Sequence, residues 1–162
     1  MNVVIKLKLI PTIIFITISI AGIGAALTSY YYVYMANTSP PACHFSGNIT
    51  SSGIELNCLN VLKSSYSSLS LNFGVKVNAN FDVLAIIYFS VSLILSLMML
   101  FTYYSVIAQY IWSIIGASFI PYLVYLEIYV IRSICIYCTT MHILIISQVL
   151  LSLYYIKSKK LI

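Results

Sequence analysis

The sequence predicts an all-α integral membrane protein: a four-transmembrane-helix bundle with a long exoplasmic loop that carries a short amphipathic helix. Three observations lead there. The 162 residues are 62% hydrophobic and only 7% charged, with a mean hydropathy of +1.04, far outside the make-up of a soluble domain. Long uncharged runs supply enough apolar length for four crossings of a hydrocarbon core roughly 30 Å thick. The net charge of +5 belongs to the two ends, Lys6 and Lys8 on one side and Lys157, Lys159 and Lys160 on the other. Lys63, Lys76 and Arg132 are balanced by Glu55, Asp82 and Glu127. The positive-inside rule then makes both termini cytoplasmic, which requires an even number of spans. No basic stripe exists for phosphates to follow, so no nucleic-acid partner is expected.

The elements follow in chain order within a single membrane domain, residues 1–162. The first span is expected over 9–33, where no charge interrupts the apolar run. That run is longer than the apolar part of a signal peptide, so a retained helix fits better than a cleaved leader ending near Ala26. Residues 34–80 form the loop, with "SPPAC", "SGN" and "SSG" as turn signals and N-x-[ST] triplets at Asn37 and Asn48. It reads as mostly irregular. Within it Cys58, Val61, Leu62, Tyr66 and Leu69 recur at helical spacing, predicting a short helix that lies on the membrane or caps the bundle. The uncharged stretch from Val83 to Leu126 holds two helices, 83–104 and 107–128, with a turn in "TYYSVIAQY" (Thr102 to Tyr110), where Tyr and Trp112 favour the interface. Pro121 is tolerated inside the third span because neighbouring helices satisfy the freed backbone. The fourth span, 134–156, ends in "KSKK".

Four cysteines, Cys43 and Cys58 in the loop and Cys135 and Cys138 at the start of the fourth span, all fall on the exoplasmic side of this topology. Lysines, not cysteines, set that side. Thiols there meet an oxidising compartment, where disulfide chemistry operates. Cys135 and Cys138 share one face of a helix start, whose unpaired amides favour a thiolate, and Arg132 is the candidate for tuning them further in that direction. Zinc binding through Cys43, His44 or Cys58 and inert buried cysteines are the competing readings of the C-x-x-C pair. A plain structural bridge is the competing reading of Cys43 and Cys58.

The pattern "C43…C58LNVLKS64" after a first span, "VNANFDVLAIIY" opening a second and "C135IYC138TTMH" opening a fourth resembles the vitamin K epoxide reductase family of membrane thiol oxidoreductases. The likeness extends from about Leu9 to Tyr155. Another four-span family, the bacterial disulfide-bond formation protein B type, places its C-x-x-C pair first in the chain, and here it comes last. The resemblance implies a bundle holding a quinone, of menaquinone, ubiquinone or similar type, near the exoplasmic surface. It implies that Cys43 meets a separate thioredoxin-fold partner, that Cys58 exchanges with Cys135, and that Cys138 faces the quinone. Leu62, Ser64 and Asn80 match positions near the quinone. Where vertebrate relatives carry a quinone-binding tyrosine this chain has His142, and the spacing from Cys43 to Cys58 is longer than theirs. No metal is expected.

The implied activity passes electrons from a partner's dithiol through both pairs to a quinone, promoting disulfide formation. Quinone-epoxide reduction and a non-catalytic membrane subunit are the alternatives. Read from the residues alone, His142 lies roughly 10 Å deeper than Cys135 at 1.5 Å per residue, a depth at which an ionisable group faces the bundle interior and is a site candidate. Glu127 and Arg132 are expected to form an interfacial pair, and Asp82 to be a solvated helix end. The 15 tyrosines read mostly as interfacial anchors, and Gln148 as possible glue between helices.

Overall fold

A computed structural model describes residues 2–43, 55–64, 66–72, 76–102 and 104–160. Two positions of interest in the sequence, His44 and Asn48, lie outside the described residues. Among these residues four helices are long and apolar enough to cross a membrane: Leu9–Met35, Phe81–Met98, Tyr104–Ile131 and Ile136–Ser158. Helix α1 (Asn2–Tyr30) continues as a π-helical turn, Tyr31–Met35. Strand β1 is Glu55–Leu56, α2 is Cys58–Leu62, and β2 (Ser68–Asn72) pairs antiparallel with β3 (Lys76–Asn80). Helix α3 (Phe81–Met98) and α4 (Tyr104–Tyr125) follow, α4 ending in a wide turn, Leu126–Ile131. A two-residue strand β4 (Ser133–Ile134) leads into α5 (Ile136–Lys160).

The bundle is tied at mid-depth by polar side chains from all four spans. Gln148 Nε2 of α5 donates to Ser92 Oγ of α3 at 2.8 Å and to Ser19 Oγ of α1 at 3.3 Å. Gln109 Nε2 of α4 donates to the same Ser92 oxygen at 2.7 Å. Gln148 is thus glue between helices: in hydrocarbon these amides and hydroxyls have no water to turn to, so they bond one another across the seams. Gly22 allows α1 and α3 to approach closely, since a Cβ there would run into the Phe89 ring.

Three local expectations change. The turn between the second and third spans falls at Met99–Thr102, before most of "TYYSVIAQY", because Ser105, Val106 and Gln109 face the interior and extend α4 back to Tyr104. The described part of the loop is not mostly irregular: it holds an antiparallel strand pair and a parallel one. The loop helix stops at Leu62, since Ser64 Oγ and Ser67 Oγ bond back to the Val61 and Ser64 carbonyls, each at 2.8 Å, and bend the chain out of the helix. Tyr66 is therefore exposed and Leu69 belongs to β2.

What remains of that helix caps one end of the bundle. Asn57 accepts a hydrogen bond from the Asn60 amide at 3.2 Å and starts α2. Tyr34 Oη donates to the Leu62 carbonyl at 2.8 Å, and Lys63 Nζ donates to Asn37 Oδ1 at 2.7 Å, which fasten α2 to the end of α1.

Candidate functional site

All four cysteines meet beneath α2. Arg132 takes a left-handed backbone conformation, φ 54°, and its amide bonds to the Glu127 carbonyl, which stops α4 and turns the chain. The turned segment then runs parallel to β1, with Glu55 opposite Ser133 and Leu56 opposite Ile134. Cys58 follows β1 by two residues and Cys135 follows β4 directly, so the strand pair delivers both sulfurs to one place. Cys43, Cys58 and Cys135 are buried there with Val33, Val61 and Leu62, and Cys138 packs against them.

Cys43 and Cys58 form a disulfide, with Cα atoms 5.8 Å apart, and Cys135 and Cys138 are free thiols. Cys135 precedes the first residue of α5, and its Sγ accepts a hydrogen bond from the Cys138 amide at 3.3 Å, the place an oxygen-bearing N-cap normally fills. Thr139 donates from its amide to the Cys135 carbonyl at 2.9 Å. The two sulfurs differ in what they face: Cys135 is wholly buried toward the loop, whereas Cys138 reaches a cavity.

That cavity, of about 360 Å³, lies between α3, α4 and α5 under the α2 cap. Its size and mainly apolar wall suit a small ligand held by a few polar groups. Tyr88 and Trp112 stack in the wall, centroids 5.6 Å apart at 12°, and Trp112 Nε1 donates to the Tyr88 carbonyl at 3.1 Å. Tyr88 Oη donates to Gln148 Oε1 at 3.1 Å, which joins the wall to the polar tie below. Ile87, Ile115 and Phe119 line the cavity yet are 52%, 47% and 52% exposed, so it opens between α3 and α4 toward the lipid.

His142, Leu62 and Ser64 line the cavity beside Cys138. Asn80 does not. It precedes α3 in the N-cap position, half-buried and without a side-chain capping bond. Arg132 is exposed, and among the described residues no ion pair joins it to Glu127.

Two expectations, both about acids, change. Glu127 is not half of an interfacial pair: it is 6% exposed, lines the cavity, and turns its carboxyl toward the Cys135 amide and the Cys138 thiol. Asp82 is not a solvated helix end: it is 1% exposed, in the same wall, beside the buried Ser29 of α1. Neither Asp82 nor Ser29 makes a hydrogen bond of good geometry through its side chain. Trp112 stands in the cavity wall, stacked on Tyr88. Charge pairing by proximity in sequence hid the acids, because both sit within a residue or two of a helix end. The available signal was that each lies at the edge of a long uncharged run, where an acid facing lipid is costly.

A four-span membrane bundle that buries a disulfide and a C-x-x-C dithiol together, next to an apolar cavity, has the parts of a membrane redox protein acting on thiols. The chain matches the model of the Vitamin K epoxide reductase family over residues 13–153 and belongs to that family. It is accordingly a multi-pass membrane oxidoreductase of a quinone-linked family. No curated protein matches the chain.

Proposed function

We propose that the protein oxidises the dithiol of a separate thioredoxin-fold protein and reduces a membrane quinone, so promoting disulfide formation. The observation that carries this reading is the division of labour among the sulfurs: the Cys43–Cys58 disulfide and Cys135 share one buried cluster, and Cys138 alone among the four lines the cavity. Electrons enter when a partner thiolate attacks the Cys43–Cys58 disulfide, and they leave Cys58 by exchange with an oxidised Cys135–Cys138 pair. The regenerated Cys135–Cys138 dithiol then reduces the quinone, with Cys138 as the attacking thiolate.

The cavity fits a quinone head group. Stacked Tyr88 and Trp112 offer a flat apolar face, His142 offers a polar atom in a mainly apolar wall, and the gap between α3 and α4 admits a lipid-soluble ligand sideways. Leu62 and Ser64 close the roof. His142 serves as the hydrogen-bonding group to a quinone oxygen, and Asn80 reaches the ligand only by closing in from the α3 N-cap.

The lysine-rich termini support a reading with both chain ends in the cytoplasm and the cysteine end of the bundle on the exoplasmic face of the cell membrane. The partner is met there. The test is direct: the purified protein in detergent, a reduced thioredoxin-fold protein and a short-chain ubiquinone or menaquinone are mixed and thiol loss is followed. Quinone-dependent oxidation that disappears in Cys138→Ala is expected. Absence of oxidation, or its survival in that variant, overturns the reading, and turnover of a quinone epoxide in place of the quinone would redirect it to epoxide reduction.

A further inference from the structure

The geometry points to Glu127 as the base that takes the proton from Cys138 when that sulfur attacks. This deepens the proposed thiol-to-quinone step and rests on it. Of Asp82 and Glu127, the two acids whose side chains are described, Glu127 is the one whose carboxyl faces the Cys138 thiol and the Cys135 amide. It is 6% exposed, lines the cavity that Cys138 reaches, and among the described residues has no cationic partner. A buried carboxyl without a counter-ion is costly to keep, and one placed on the reacting atom is positioned to exchange a proton with it.

The wide turn at Leu126–Ile131 supplies the placement. It swings Glu127 under the Cys135–Cys138 segment, and the bond from the Arg132 amide to the Glu127 carbonyl holds the backbone there. Asp82 lines the same cavity with its carboxyl beside Ser29 of α1 and not on the Cys138 thiol, and so provides an internal comparison.

The step balances as follows. Glu127 removes the Cys138 proton, and the Cys138 sulfur bonds to the ring of the electron-accepting quinone while an electron pair moves to one ring oxygen. That oxygen takes the proton back from Glu127. Cys135 then loses its proton and attacks Cys138; the S–S bond forms, the carbon–sulfur bond breaks, and its electron pair returns to the ring. The second oxygen takes the Cys135 proton. Two electrons and two protons leave the dithiol, and quinone becomes hydroquinone. Glu127 ends as it began.

The experiment uses the full chain in detergent, reduced by dithiothreitol, freed of reductant and mixed with ubiquinone-1 in a single turnover. Glu127→Gln is expected to slow Cys135–Cys138 disulfide formation by about 100-fold or more, within the range for a lost acid–base group. Alkylation of Cys138 by N-ethylmaleimide, which needs no quinone, should slow in the same variant, and Asp82→Asn should leave that alkylation within about threefold of the parent. Glu127→Ala is expected to regain at least tenfold in both measurements on adding formate, a small carboxylate that fits the vacated volume. An alkylation rate in Glu127→Gln within threefold of the parent overturns the proposal. So does a slow Glu127→Ala that formate fails to accelerate, which would mark Glu127 as structural. A parent protein that alkylates normally but never reduces ubiquinone-1 would instead strike at the quinone reading, leaving the proton transfer from Cys138 to be decided by the alkylation data.

Discussion

Gly116→Ala should damage the cavity while sparing the cysteine relay. A Cβ at position 116 would lie 2.5 Å from Tyr88 Cε2, 2.9 Å from Cζ and 3.1 Å from the hydroxyl. Carbon atoms rest at about 3.5–4.0 Å, so the ring must retreat by roughly 1 Å or more. Two contacts limit that retreat: the stack on Trp112 at 5.6 Å and the 3.1 Å bond from Tyr88 Oη to Gln148. Overpacking of this kind costs about 1–3 kcal/mol. Applied to the bound state, that range weakens quinone binding by roughly five- to 150-fold, since about 1.4 kcal/mol is tenfold. The assay is steady-state thiol oxidation at varied short-chain ubiquinone, beside exchange between a reduced thioredoxin-fold protein and Cys43–Cys58 without quinone. The apparent KM for ubiquinone should rise and the exchange should not change. A KM within a factor of two of the parent, with the unfolding midpoint also unmoved, would refute the assignment of the Tyr88–Trp112 face to the ligand.

Other substitutions separate the remaining roles. Arg132→Gly should raise stability by about 0.5–1 kcal/mol in denaturant titration, because its φ of 54° is one that a Cβ disfavours; a loss of stability would mean that the side chain, not the backbone turn, matters there. If Arg132 also tunes the thiols, the same variant oxidises partner thiols more slowly despite being more stable. Gln148→Leu removes three side-chain hydrogen bonds, and at about 0.6 kcal/mol each within a membrane the loss should be about 2 kcal/mol; an unchanged unfolding midpoint would show the tie to be dispensable. Cys135→Ser should block electron passage from Cys58 while Cys138 stays open to N-ethylmaleimide from the cavity, and continued quinone reduction by the partner would contradict the assigned order of the sulfurs.

Length and hydropathy made the four helices legible, because a hydrocarbon core demands long uncharged runs whatever their partners. The short helix after Cys58 was also visible, through the spacing of Val61 and Leu62. Its end was not, since Ser64 and Ser67 stop it by bonding to carbonyls three residues back, an option that helical periodicity does not report. The two-residue pairing of β1 with β4 was out of reach for a related reason. Glu55–Leu56 and Ser133–Ile134 carry no strand signal, and they pair because the left-handed turn at Arg132 brings them alongside each other. Yet that pairing is what sets Cys58 next to Cys135. The cysteines themselves were legible as a set, but their meeting depends on backbone geometry far from any motif.

The acids show where a reading by charge balance fails. Asp82 and Glu127 cancel lysine and arginine in a sum, and each sits near a helix end where a solvated carboxyl would be unremarked. In the folded chain both enter the wall of one cavity, with His142, beneath the α2 cap. Three ionisable groups at one end of an apolar bundle oppose stability, because each must be desolvated without a formal counter-charge. The polar tie formed by Ser19, Ser92, Gln109 and Gln148 lies deeper and holds the helices together with neutral groups, so the bundle does not need the ionisable residues as glue. The placement of Glu127 and His142 by Cys138 is instead what a two-proton, two-electron reaction requires: a group to receive a proton from sulfur and another to present one to oxygen, both buried.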